Sequence, residues 1–168
     1  MPISKSCDES RTHMTEMVLP QHTNAYGTAF GGVIMSWMDI CAAISARRHA
    51  NAAAVTASVD ELHFLKPIRL GDTVVLNAHL TSVGYSSMEI FVHVTVEPAD
   101  FSRSPETTTE AYFTFVALDD EGKPKEVPAL GQEENTPEDP SDEILARRNQ
   151  RLAGKERHRQ GIRGDSKD

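Results

Sequence analysis

Period-two alternation of apolar and polar residues organises the middle of the chain. From Ser87 to Glu97, residues Met88, Ile90, Val92, Val94 and Val96 oppose Glu89, His93, Thr95 and Glu97, the pattern of a strand with one face on a core. Thr73 to Val83 puts Val74, Leu76, Ala78 and Leu80 on one face, and Thr108 to Leu118 does the same with Ala111, Phe113, Phe115 and Ala117. Gly84-Tyr85-Ser86 predicts a hairpin between the first two of these strands. Val55 to Phe64 alternates through Val55, Ala57 and Val59 and then changes phase to Leu62 and Phe64, which predicts a bulge near Asp60-Glu61. Pro67 and Gly71-Asp72 mark the turn that follows, and Asp119 to Gly122 ends the last strand. A weaker alternation from Arg11 to Leu19 fits an edge strand stopped by Pro20.

A different pattern precedes these strands. From Val33 to Ala46 the chain is apolar on every side of a helix, which predicts a helix enclosed by protein. Arg47, Arg48 and His49 suit its carbonyl end, and Asn51 suits a left-handed stop. One buried helix followed by strands with short connections predicts an α+β fold, a curved antiparallel sheet wrapped around one long helix.

Composition narrows the picture. The 168 residues suffice for one domain and a tail. A formal net charge of -8 argues against nucleic acid as a partner, and no apolar run reaches the length of a membrane span. The polar N-terminus lacks a secretory signal, and Cys7 and Cys41 are poor disulfide candidates, so a cytoplasmic location is expected. Residues 1–10 read as a flexible leader, 11–130 as the folded domain and 131–168 as a charged tail, either a solvated helix or disordered. The seven histidines show no metal-binding spacing, so no metal or cofactor is expected; a nucleophilic serine elbow and a phosphate loop are also missing.

The candidate chemistry lies in the helix. Asp39 is the one charge between Tyr26 and Ala46, and a carboxylate in such a segment needs compensation. Its helical neighbours Gly32, Met35, Ser36, Ala42, Ala43 and Ala46 are mostly small, whereas Ile34, Trp37, Met38 and Cys41 would face the sheet. A chemical role, hydrogen bonds from backbone groups or a salt bridge to one of the arginines downstream would each account for Asp39. Gly31-Gly32 at the helix start would leave open amides able to stabilise an oxyanion, or would serve close packing. Asn24, in the loop before the helix, alone reads as a turn residue.

Taken together, the segment from Leu19 to Asp39 (Leu19-Pro-Gln-His-Thr-Asn-Ala-Tyr-Gly-Thr-Ala-Phe-Gly-Gly-Val-Ile-Met-Ser-Trp-Met-Asp39) resembles the hotdog-fold acyl-CoA thioesterases of the ACOT type. Val59 to Ile68, Gly71-Asp72, Gly84 to Ser87 and Glu110 to Leu118 extend the resemblance in the expected order over residues 11–130. The resemblance implies a helix inside a sheet, sheets of two protomers joined edge to edge, active sites at that homodimer interface, and often a hexamer built as a trimer of dimers. It implies hydrolysis of acyl-CoA to free acid and CoA, with Asp39 as nucleophile or general base, Asn24 as the second catalytic residue contributed across the dimer, and the Gly31 amide polarising the carbonyl. Gly32, Lys66, Gly84, Ser86 and Ser87 are the implied CoA contacts. Family members often carry a basic residue where this chain has Tyr85, so Lys66, Arg69, Arg47, Arg48 and Arg103 all stand as phosphate partners. Two other readings compete: a non-catalytic acyl-CoA-binding regulator, and an enoyl-thioester hydratase on the same fold. Hydratases of this fold usually need a His, where this site offers Asn24; regulators commonly add a DNA-binding segment, and none is expected ahead of residue 11.

Overall fold

The computed structural model describes residues 4–60 and 62–131, together with residues 146, 149, 150 and 153. It divides into two compact units, Met1–Glu138 and Asp139–Asp168. In the second unit the described residues Ala146, Asn149, Gln150 and Ala153 are helical; the remainder of the charged tail lies outside the described residues.

The first unit follows the order β1 (Ser4–Lys5), β2 (Thr12–Met17), α1 (Gly31–Ala50), β3 (Ala53–Val59), β4 (Thr73–Val83), β5 (Ser87–Glu97), β6 (Glu106–Leu118) and β7 (Ala129–Leu130). Five strands form one antiparallel sheet in the order β2-β4-β5-β6-β3, curled around α1. The expected α+β architecture is therefore present, and β4 and β5 have the predicted limits. β6 begins two residues earlier than the alternation indicated, at Glu106. The core lies between the inner face of the sheet and one side of α1, where Ile34, Met38, Cys41, Ala42 and Ala46 meet Leu76, Met88, Ile90, Phe113 and Phe115. Each fully buried large side chain in such a core stabilises by ~1.5–3 kcal/mol.

Three expectations need correction. First, α1 is enclosed on one side only. Its buried residues (Ile34, Met38, Cys41, Ala42, Ser45, Ala46, His49) recur at helical spacing, whereas Met35 and Ile40 are 43% and 47% exposed. The sheet is open, and no described element covers the other side of the helix. Second, the predicted turn between β3 and β4 is a crossover: β3 pairs with β6 at one edge of the sheet, whereas β4 lies between β2 and β5 near the other, so the connection passes over two intervening strands. Third, the bulge lies at Ala57, because pairing shifts register between Thr56 and Ser58. Glu61 lies outside the described residues. With that extra residue, Ala54, Thr56 and Val59 all pair with inward-facing residues (Ala117, Phe115 and Phe113), so Val59 faces inward as expected while Ala54 and Thr56 take the inner positions expected for Val55 and Ala57.

The segment expected as a flexible leader carries β1, which pairs in parallel with β7, and Cys7 and Ser10 are buried. At the Gly71-Asp72 turn, Gly71 adopts φ +87° and buried Asp72 accepts hydrogen bonds from the amides of Arg69 (2.8 Å) and Ala99 (2.9 Å). The Asp72 carbonyl accepts from Val18 (2.9 Å), so one residue ties the crossover to two loops.

The left-handed stop at Asn51 is present, with φ 47°. Just before it, His49 is fully buried; its Nε2–H donates to the Pro128 carbonyl at 3.0 Å, which places the lone pair on Nδ1. Burial holds the His49 imidazole below its ordinary value of 6.5, outweighing the opposing Pro128 hydrogen bond. The unfolded chain therefore takes up this proton first on acidification. Stability from the neutral ring is fully present above about pH 6.5 and declines as pH falls below it. Urea midpoints at pH 7 and pH 5 check this: the wild type should lose more stability on acidification than His49→Gln, whose amide can still donate to Pro128.

Candidate active site on the helix

Asp39 sits in the middle of α1 on the open side of the helix and is half-buried. Of its predicted neighbours, Gly32, Met35 and Ser36 are exposed beside it, while Ala42 and Ala46 turn into the core. Its compensation is neither a backbone group nor an arginine. Thr56 Oγ1, from edge strand β3, donates to Asp39 Oδ1 at 2.6 Å. The bulge at Ala57 gives Thr56 its inward register. Sequence reading missed Thr56 because a bulge placed too late assigned it to the outer face; a polar residue in phase with Ala54 was the available signal. Arg48 is committed elsewhere, donating to the Arg11 carbonyl (2.7 Å) and to Thr12 (3.2 Å).

Gly31 is the first residue of α1, two helical turns before Asp39. The Val33 and Ile34 amides both donate to the Phe30 carbonyl (2.9 and 3.4 Å), while the Gly31 and Gly32 amides have no acceptor among the described residues. A Cβ on Gly31 would lie 3.2 Å from Cε2 of Phe64, and one on Gly32 would lie 2.5 Å from Cε1 of Phe30. Close packing and open amides thus coexist at this terminus. A groove of about 320 Å³ opens there, walled by Ile34, Phe64, Leu65, Pro67 and Ile68, with Lys66 on its rim.

Asn24 caps its own loop: Oδ1 accepts from the amides of Tyr26 (2.9 Å) and Thr28 (3.3 Å), and Nδ2 donates to Thr28 Oγ1 (2.9 Å). No hydrogen bond joins it to Asp39 within the chain among the described residues. Lys66 pairs with Glu106, which Arg103 also contacts at 2.9 Å; the Lys66 hydrogen bond, aided by Arg103, holds the Glu106 carboxyl below its usual range. Gly84 to Ser87 form the β4–β5 turn, where a Cβ on Gly84 would lie 2.6 Å from Ser87 Oγ. This turn packs on the segment after β6, with Ala117 donating to the Ser86 carbonyl and Val127 to the Tyr85 carbonyl, both at 2.9 Å. The groove walls do not include it. No group of three His, Cys, Asp or Glu side chains is placed to hold a metal among the described residues.

The geometry is therefore a carboxylate oriented by a hydroxyl, on the same helix as two open amides that adjoin an apolar groove. A thioesterase superfamily model matches residues 26–100. An uncharacterized acyl-CoA thioester hydrolase of Bacillus subtilis, YkhA, is 45% identical over 129 residues, covering 77% of this chain and 74% of the relative. The chain belongs to the thioesterase superfamily. Among solved structures, a Staphylococcus aureus acyl-CoA hydrolase in complex with butyryl coenzyme A and coenzyme A is 40% identical with a TM-score of 0.76, covering 95% of this chain and 97% of that one. Variants of that hydrolase with one aspartate, one asparagine or one threonine changed to alanine have been solved. A hexameric thioesterase of Yersinia pestis is 41% identical with a TM-score of 0.65, covering 69% of this chain and 93% of that one.

Both cysteines are buried, and burial pushes the Cys41 thiol up to about 12 against the lowering influence of Arg48. A thiol-reactive dye should leave the native protein unlabelled at pH 8 and modify two thiols only after unfolding. Absorbance after mixing, with and without denaturant, checks this.

Proposed function

We propose that the protein hydrolyses acyl-CoA thioesters to a carboxylic acid and free CoA, with Asp39 as the reacting carboxylate. The observation that carries this reading is the Thr56–Asp39 hydrogen bond. It fixes one carboxylate oxygen and leaves Oδ2 without a partner among the described residues. That oxygen takes the proton of a water attacking the thioester carbonyl, or attacks the carbonyl itself to give an anhydride that water then opens. In both routes the C–S bond breaks and the sulfur leaves as CoA. The Gly31 amide holds the carbonyl oxygen as it gains charge, and Asn24 orients the water or the thioester. In the S. aureus hydrolase, the asparagine changed to alanine precedes the aspartate by fifteen residues and the threonine follows it by seventeen. Asn24, Asp39 and Thr56 have the same spacings here.

Eight residues of helix separate Gly31 from Asp39 by ~12 Å, too far for one thioester carbonyl to meet both in a single chain. A homodimer resolves this, with Asn24 and Gly31 of one protomer facing Asp39 and Thr56 of its partner, so that two chains carry two complete sites. The open side of α1 and the unpaired edge of β3 are the surfaces such a dimer would cover. Hexameric assembly, as in the Y. pestis relative, would then join three dimers. Residues 4–130 form the thioesterase domain, since Ser4–Lys5 pairs with Ala129–Leu130, and 131–168 a charged tail. CoA would contact Gly32, Lys66, Gly84, Ser86 and Ser87, with Lys66 exchanging Glu106 for a phosphate. No described helix is long and apolar enough to cross a membrane, and two buried thiols suit the reducing cytoplasm.

Thiol release from a panel of acyl-CoAs tests the reading. Wild-type protein should release CoA. Asp39→Ala and Asp39→Asn should lose ~10²–10⁴-fold in turnover with unfolding midpoints little changed. Thr56→Val, which removes one hydrogen bond to a charged group, should lose ~10–100-fold. Hydrolysis by Asp39→Ala at the wild-type rate, or acyl-CoA binding by the wild type without thiol release, would sink the proposal.

A further inference from the structure

Phe64 has no place in the chemistry above, yet its ring lies against the helix terminus that the chemistry uses. The ring edge comes within 3.2 Å of where a Cβ on Gly31 would stand, and it forms one wall of the groove at that residue. The backbone on both sides of it is pinned to β6: Thr109 Oγ1 donates to the His63 carbonyl at 2.6 Å, and the Leu65 amide donates to the Thr108 carbonyl at 3.0 Å. Farther along, the Ile68 carbonyl accepts from the Ala29 amide at 2.7 Å, which fixes the groove's other flank. Phe64 is 44% exposed. A side chain with a fixed backbone and one open side moves by rotation about its own bonds, not by loop displacement. The rest of the lining is mostly apolar, through Ala29, Ile34, Leu65, Pro67 and Ile68, with Thr28 and Lys66 as its polar members.

We propose that Phe64 is a specificity-determining residue that selects acyl groups unbranched next to the thioester carbonyl. The inference rests on the hydrolase reading and extends it to substrate class. Because the ring abuts Gly31, whose amide holds the carbonyl oxygen, it meets the first carbons of the acyl chain and not its far end. A linear chain passes the ring edge. A methyl branch or an aromatic ring attached directly to the carbonyl competes with Phe64 for the same space. Position 31 must also be glycine on this account, because a methyl there would push the ring into the path of the substrate.

The test compares kcat/KM for butyryl-CoA, isobutyryl-CoA, benzoyl-CoA and a linear series of longer acyl-CoAs in wild type, Phe64→Leu and Phe64→Ala, with unfolding midpoints recorded for all three. Phe64→Ala should raise the ratio of isobutyryl to butyryl turnover at least about tenfold, the discrimination a single methyl commonly carries. Phe64→Leu should fall between, and the dependence on length in the linear series should stay as in wild type. An unchanged branched-to-linear ratio in both variants overturns the assignment, as does a changed length profile with no change in that ratio, which would put Phe64 deep in the channel. Failure of the wild type to release thiol from any substrate would instead overturn the hydrolase reading, so the two failures are separate.

Discussion

The structure depends on the one-sided burial of a single long helix. The stripe from Ile34 to His49 fills the concave face of a five-stranded sheet, and once that face is filled the sheet cannot also wrap the opposite stripe. That stripe stays apolar at Met35 and Ile40 and carries the lone carboxylate Asp39. A charge there needs no deep desolvation, so a single hydroxyl suffices to hold it. The constraint also fixes what the site lacks within one chain, because amides and carboxylate on one rigid helix keep their separation. For the proposed hydrolysis, a second copy of the chain is what would bring them to the same reacting group.

Strand β3 supplies the second constraint. An edge strand offers unpaired backbone groups, and here it also offers the threonine that orients Asp39. The bulge at Ala57 is what makes the two compatible: without an extra residue, Thr56 and Val59 could not both face inward. The crossover then returns the chain to β4, next to the far edge strand β2, laying Phe64, Leu65 and Pro67 beside the helix terminus on the way. Part of the groove wall and the threonine that orients the carboxylate thus come from the same segment, one on each side of Val59.

Much of this was legible in the residues, for physical reasons. Strands β4 and β5 could be bounded because their core-facing residues recur at period two between clear turn signals, despite a register shift after Leu80 and apolar Phe91 on the second face, and the helix because glycines open it and Asn51 stops it. The one-sided enclosure of α1 was not legible, since an all-round apolar helix looks the same whether protein covers it within the chain or from another copy. Strand order was hidden as well: Pro67 and Gly71-Asp72 announce a change of direction but not which edge the chain reaches. Asp39 stood out as a charge in an apolar run and Gly31 as a helix start. Thr56 did not, because its importance comes from a register shift of one residue, and the phase change at Leu62 and Phe64 placed that shift too late in the strand. Family resemblance supplied the substrate, which periodicity and spacing could not.

The short parallel pairing of Ser4–Lys5 with Ala129–Leu130 has a topological consequence. It brings the first and last described strands of the unit side by side, so the chain enters and leaves the described fold at one place. A fold closed in this way can be inserted into another chain, rewired by joining its ends and cutting a surface loop, or duplicated in frame through a modest linker, with the core untouched. Duplication by that route would place both halves of a paired site in one polypeptide, and each half would then be free to lose the residues its neighbour supplies.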